Sequence, residues 1–243
     1  MRPCRTLTQG QQRAVSTMLR GTSILALVPL FLLNFCEHTP SEKTPAHPPF
    51  DAAYLRLTPA EVASLPLAVR FEAPMGSEQA ALTYNAQPFR VTRHLGDDLN
   101  GIGGWNSDLG DPVYAAATGK VIYAGWPSDG WGNMVVLAHR VPDASAPEGW
   151  RVYQAVYAHL DKILVQHGAV VPRGAKLGTV GTAGGRYLAH LHFEIRESRS
   201  VYPGPGYSDF PLDRVSPASF QKERGQNGDL TALKAPERAA SSQ

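Results

Sequence analysis

Between residues 90 and 200 the chain offers almost nothing from which to build a long helix. Short apolar runs of strand length alternate with Gly- and Pro-containing clusters, and no 3.6-residue period persists. "GNMVVLAHRV" (132–141) and "RVYQAVYAHL" (151–160) flank the loop "PDASAPEG", as two antiparallel strands would. "PVYAAATGKVIYAGW" (112–126) has a Thr-Gly turn between two strand-like pieces, and "GAVVPRGAKLGTVG" (168–181) has a Pro/Gly turn. With 23 glycines and 20 prolines and only 18% charged residues, many short strands fit better than a helical bundle. The expectation is an all-β, antiparallel fold with one or two short helices near its ends. One is "TPAEVASL" (58–65), with Thr58 as N-cap, Pro59 at the first helical position and Glu61 completing a capping box.

The first 36 residues read differently. Arg13 and Arg20 precede the apolar run Ile24 to Phe35, which has the length of a signal-peptide core and is short for a membrane span. Cys36 follows, then a polar, Pro-rich stretch. That order resembles a bacterial lipoprotein: export signal, lipidated cysteine, tether. Asn34 and Phe35 stand where small residues usually precede the cysteine, so lipidation, simple cleavage and an uncleaved anchor all stay open. A start at Met18 would leave a compact signal. The expected organisation is a leader over 1–36, a linker with a short helix over 37–66, a folded β domain over 67–225 and a disordered tail over 226–243. The expected location is the periplasm or cell envelope, with a possible membrane tether through Cys36. Cys4 and Cys36 are the only cysteines and both lie in the leader, so a metal in the domain would need nitrogen and oxygen ligands. A net charge of +2 with no basic block argues against nucleic acid as a partner.

The run "YLAHLHFEIRES" alternates cleanly. Leu191, Phe193 and Ile195 form one face, and His190, His192, Glu194 and Arg196 the other, as in a half-buried strand. The two imidazoles then stand roughly 6–7 Å apart, a distance at which one serves as a metal ligand more easily than both. "RHLGDDLNGIGG" supplies His94 with two candidate carboxylates, Asp97 and Asp98; its glycines favour a curved strand end or loop over a helix. "AVYAHL" supplies His159, which alternation places on one face with Ala155 and Tyr157. His94, Asp98 and one of the histidine pair make two nitrogens and one oxygen, which suits a catalytic zinc site with an open fourth position. Two histidines then remain for proton transfer and oxyanion stabilisation. Taken one at a time, each of these histidines has a blander reading as a loop or strand residue. His139 and His167 are expected to be structural or exposed, and Asn133 to be a turn residue. Glu194 shares the face of His192 and could orient its ring, but a solvated strand carboxylate is the expected reading; Tyr157 and Tyr187 could donate to an oxyanion, but packing is expected.

Taken in order, "HLGDD", "VYAAATGKVIYAG", "GWGNMVV", "YAHL", "VPRGAKLGTVG" and "AHLHFEIR" resemble the lysostaphin-type (LytM-like) zinc metallopeptidases, over about residues 70–200. The resemblance implies a barrel-like antiparallel sandwich of the duplicated-hybrid-motif kind, with its site in a groove walled by loops. It implies one Zn2+ held by His94, Asp98 and His192, with His159 and His190 as the catalytic pair. It further implies a peptidoglycan peptide as substrate. The alternative is a non-catalytic member of the family that binds the wall or activates another hydrolase. The stretches "LNGIGGWNSDLGDP" and "RVPDASAPEGWR" are longer than the family's usual links.

Overall fold

The computed structural model describes residues 41–46, 56–77 and 80–225, all within one compact unit, Pro40–Gln243. The leader, Cys36 and the tail from residue 226 lie outside the described residues. A short helix, α1 (Pro59–Ala63), comes first. The strands follow: β1 (Thr83–Gln87), β2 (Asp97–Gly101), β3 (Pro112–Tyr114), β4 (Gly119–Gly125), β5 (Asn133–Pro142), β6 (Trp150–Leu160), β7 (Lys162–Ile163), β8 (Val170–Val171), β9 (Lys176–Thr179), β10 (Leu191–Arg196) and β11 (Arg214–Val215). Helix α2 (Pro217–Arg224) closes the series. The large sheet runs β1-β2-β10-β6-β5-β4-β8, with β11 beside β10, and the small one runs β3-β9-β7. All pairings between named strands are antiparallel. The architecture is the all-β one expected. α1 is capped as the sequence predicts: the Thr58 side chain accepts from the Glu61 backbone, and Glu61 accepts from the Thr58 backbone.

Both faces of the large sheet are covered. On one, Val121, Val135, Leu137, Ala155, Tyr157, Phe193 and Ile195 pack with Val113, Leu177 and Val180 around the small sheet and with Phe71 and Phe220. On the other, Met134, Val136, Ala138, Val156 and Ala158 pack with Leu57, Val62 and Leu65 from the α1 region. Each large aliphatic side chain buried in this way contributes about 1.5–3 kcal/mol.

Double coverage corrects the reading of β10. All six of its residues are buried, so it is not half-solvated. Its polar face is covered by the segment that returns after the strand. Burying His192, Glu194 and Arg196 requires internal partners for each. Asn133 is likewise no turn residue. It is fully buried at the start of β5, where it accepts from the Thr44 amide and donates to the carbonyls of Glu42 and Asp161.

Candidate metal centre

β10 lies between β2 and β6, and this register builds the site. His192 sits opposite Asp98 of β2 on one side and Ala158 of β6 on the other. Directly opposed residues share a face, so the register selects Asp98 and not its neighbour. Asp97 pairs with Phe193, and its carboxylate accepts from the Phe89 amide at 2.8 Å. His94 reaches the same point from the turn before β2, where it bridges to Tyr207. The donor atoms converge. His94 Nε2 is 3.0 Å from His192 Nδ1, His192 Nδ1 is 3.0 Å from Asp98 Oδ1, and His94 Nε2 is 3.2 Å from Asp98 Oδ1.

His159 arrives by a route that alternation does not predict. The β5–β6 register shifts between Asn133 and Val135, and His159 has a left-handed backbone, φ +64°. This bulge changes the strand's parity. Ala155 and Tyr157 stay in the inter-sheet core and Leu160 joins them, whereas His159 turns to the face of His192. Its expected grouping with Ala155 and Tyr157 is therefore wrong. His159 stands 4.7 Å from His190 and 5.4 Å from His192, ring centre to ring centre. His190 Nε2 is 3.7 Å from Asp98 Oδ1.

The outer nitrogen of each ring meets an oxygen that can only accept or is best placed to accept. His94 Nδ1 faces the Gln87 carbonyl at 3.1 Å, His159 Nδ1 the Trp131 carbonyl at 3.1 Å and His190 Nδ1 the Leu188 carbonyl at 2.8 Å. His192 Nε2 faces the Glu194 carboxylate at 3.2 Å. A carbonyl cannot donate, so these nitrogens carry the protons. The nitrogens turned toward the cleft, Nε2 of His94, His159 and His190 and Nδ1 of His192, are the ones left to act as donors to a metal or acceptors of a proton.

Charge follows from burial. Burial works against ionised Asp98, but the hydrogen bond from His192 and the charges of His192 and His190 hold it far below the usual carboxylate range. Burial also works against charged His192, yet hydrogen bonds to Asp98 and Glu194 and the charges of both hold it up at about 9. In the metal-free chain a second proton therefore sits between His192 and Asp98, where a metal ion would displace it. His159 lies well below the ordinary histidine value because it is buried beside His192 and His190. The donor set fits a tetrahedral cation. Ligands about 2.0–2.1 Å from zinc stand roughly 3.3 Å apart, close to the separations found here.

The cluster opens into a cleft of about 310 Å³, also lined by Gln87, Trp131, Tyr187 and Tyr207. Three participants escape sequence reasoning. The Tyr207 ring lies 5.1 Å from that of His94, and the Trp131 carbonyl holds His159. Gly96 is the third: a Cβ there would come within 2.8 Å of His192 Cε1 and 2.7 Å of the Phe193 carbonyl. Its position inside "HLGDD" is the one signal that pointed to it. Tyr157 packs as expected, its hydroxyl accepting from the Ala116 amide.

The profile of Peptidase family M23 matches residues 100–203. Lipoprotein NlpD of Yersinia enterocolitica is 36% identical over 95 residues, 39% of this chain and 87% of that protein. The chain belongs to peptidase family M23. Two longer relatives bear names that point in different directions. Peptidoglycan DD-endopeptidase ShyB of Vibrio cholerae is 37% identical over 112 residues, 44% of this chain and 21% of that protein. Murein hydrolase activator NlpD of Escherichia coli (strain K12) is 36% identical over 95 residues, 39% of this chain and 22% of that protein. The chain thus matches only about a fifth of the length of these two relatives.

Proposed function

We propose that this chain is an exported zinc metalloendopeptidase that hydrolyses peptide bonds of bacterial peptidoglycan. The supporting observation is the convergence of His94, Asp98 and His192 within about one tetrahedral edge of one another, with His159 and His190 alongside. In this reading His94 Nε2, Asp98 Oδ1 and His192 Nδ1 hold one zinc ion. Bound there, zinc supplies Lewis-acid polarisation and lowers the pKa of a water molecule toward 7. Amide hydrolysis also requires a proton to leave the attacking water and another to reach the departing nitrogen. His159 and His190 each present an unprotonated Nε2 to the cleft for this traffic, and the protonated form of either can stabilise the oxyanion. The leader carries the chain out of the cytoplasm, and Cys36 is the candidate lipid attachment point.

The relatives named as murein hydrolase activators favour a second reading over the same stretch, in which the domain binds the wall and activates another hydrolase. A digest of purified peptidoglycan, with zinc and with a chelator, read by mass spectrometry, separates the two. Chelator-sensitive release of stem-peptide fragments is the expected result. Absence of fragments from zinc-loaded protein would sink the enzyme reading, and release only alongside a second wall hydrolase would establish the activator.

A further inference from the structure

Glu194 has no exposed surface, and a buried carboxylate is tolerated only when both oxygens are engaged. Here they are engaged in opposite directions. Oε1 accepts from His192 Nε2 at 3.2 Å, and Oε2 accepts from Arg214 Nε at 3.1 Å. Arg214 is itself buried and fully committed. Its Nη1 donates to Asp213 at 2.7 Å, and its Nη2 donates to the carbonyls of Pro203 and Pro205. Those prolines begin the segment that continues through Gly206, whose carbonyl accepts from the Leu95 amide, to Tyr207 over His94.

We infer that Arg214 and Glu194 are positioning residues that present His192 Nδ1 to the metal and lock the cleft wall around it. The inference rests on the zinc reading above. With Glu194 accepting at Nε2, His192 is held in the tautomer whose Nδ1 lone pair faces His94 and Asp98. Arg214 keeps Glu194 from turning away, because its planar fork is fastened at three other points. The same fork ties the Pro203–Tyr207 segment to the strand that carries His192. One buried arginine thereby couples the shape of the wall to the orientation of the ligand.

Glu194→Gln tests this. An amide must present its NH2 either to His192 or to Arg214. Toward Arg214, donor meets donor. Toward His192, the ring must accept at Nε2 and carry its proton on Nδ1, which removes the metal donor. Zinc affinity of the full chain, measured by competition with a chromophoric chelator, is expected to fall about 10–100-fold while circular dichroism stays native. Wild-type affinity in a folded Glu194→Gln protein would overturn the inference and leave the zinc reading standing. A wild-type chain that binds no zinc would overturn both. If Glu194→Gln does not fold, Glu194→Asp keeps the charge beside Arg214 but shortens the reach to His192. It is expected to lose about tenfold, and unchanged affinity would again overturn the inference. Nitrogen-15 NMR of the zinc-loaded wild-type chain needs no variant. It is expected to place the His192 proton on Nε2, and a proton on Nδ1 would reject the relay.

Discussion

Two histidines of the large sheet, His139 on β5 and His192 on β10, are equally buried and oppositely provided for. His139 has one carbonyl, that of Thr118, at 2.7 Å from Nδ1, no hydrogen-bond partner for Nε2 among the described residues, and the Phe71 ring packed edge-on. Burial pushes it down to about 4, with the Thr118 bond only partly opposing. His192 has Asp98 on one side and Glu194 on the other, and is held up at about 9. Burial alone makes a histidine a neutral core residue. Burial between two carboxylates makes it a charged group whose proton a metal can replace.

The sharpest way to break this comparison is to remove site histidines in turn. His192→Ala is expected to lose zinc and wall-cleaving activity together. His159→Ala is expected to keep zinc while activity falls about 10²–10⁴-fold, since its part concerns the proton. Equal zinc loss in both, by elemental analysis, would contradict the division between ligand and proton carrier.

Folding stability is expected to carry opposite signatures from the two residues. The folded-state value of His139 is depressed, so its contribution is fully present above about pH 6.5 and is lost as pH falls toward 4. The loss is on the order of 3 kcal/mol. The folded-state value of His192 is raised, so in the metal-free chain its contribution is fully present below about pH 6.5 and is lost as pH rises through 9. Denaturant melts across this range should show His139→Leu flattening the acid limb alone. An unchanged acid limb would mean that His139 protonates without cost in the fold.

A smaller effect concerns the space around the ligand. Gly96→Ala is expected to cost about 1–3 kcal/mol of stability, because the added methyl meets the His192 ring and the Phe193 carbonyl. Zinc affinity should fall with it. Native melting and native affinity in the Gly96→Ala chain would show that the ring has room to move.

Much of the fold could be read directly. Strand-length apolar runs with Gly/Pro punctuation appear as strands, and the pieces at 132–141 and 151–160 pair as expected, Asn133 with Leu160 through Pro142 with Trp150. The capping box of α1 is local chemistry and was equally legible. The five candidate site residues do come together in one cleft. What failed did so where a distant part of the chain intervenes. Glu194 looked solvated because nothing in its own strand announces that residues 198–214 return to cover it. His159 looked as though it shared a face with Tyr157 because period-2 counting cannot register a bulge set by the partner strand.

The candidate donors were thus legible locally, as histidine and carboxylate spacings on strand-forming sequence, while their division into ligands and catalytic pair came from the family resemblance. Which ring nitrogen and which face were decided only by tertiary structure, which also supplies the physical ground for Asp98, the carboxylate the family resemblance had already implied. The β2–β10 register chose Asp98 over Asp97. The β5–β6 bulge turned His159 toward His192. The acceptors that assign the ring protons lie near their histidines in sequence for His94, His190 and His192, and 28 residues away for His159; in each case the folded backbone decides which nitrogen the acceptor meets, since a hydrogen bond depends on where its acceptor lies in space.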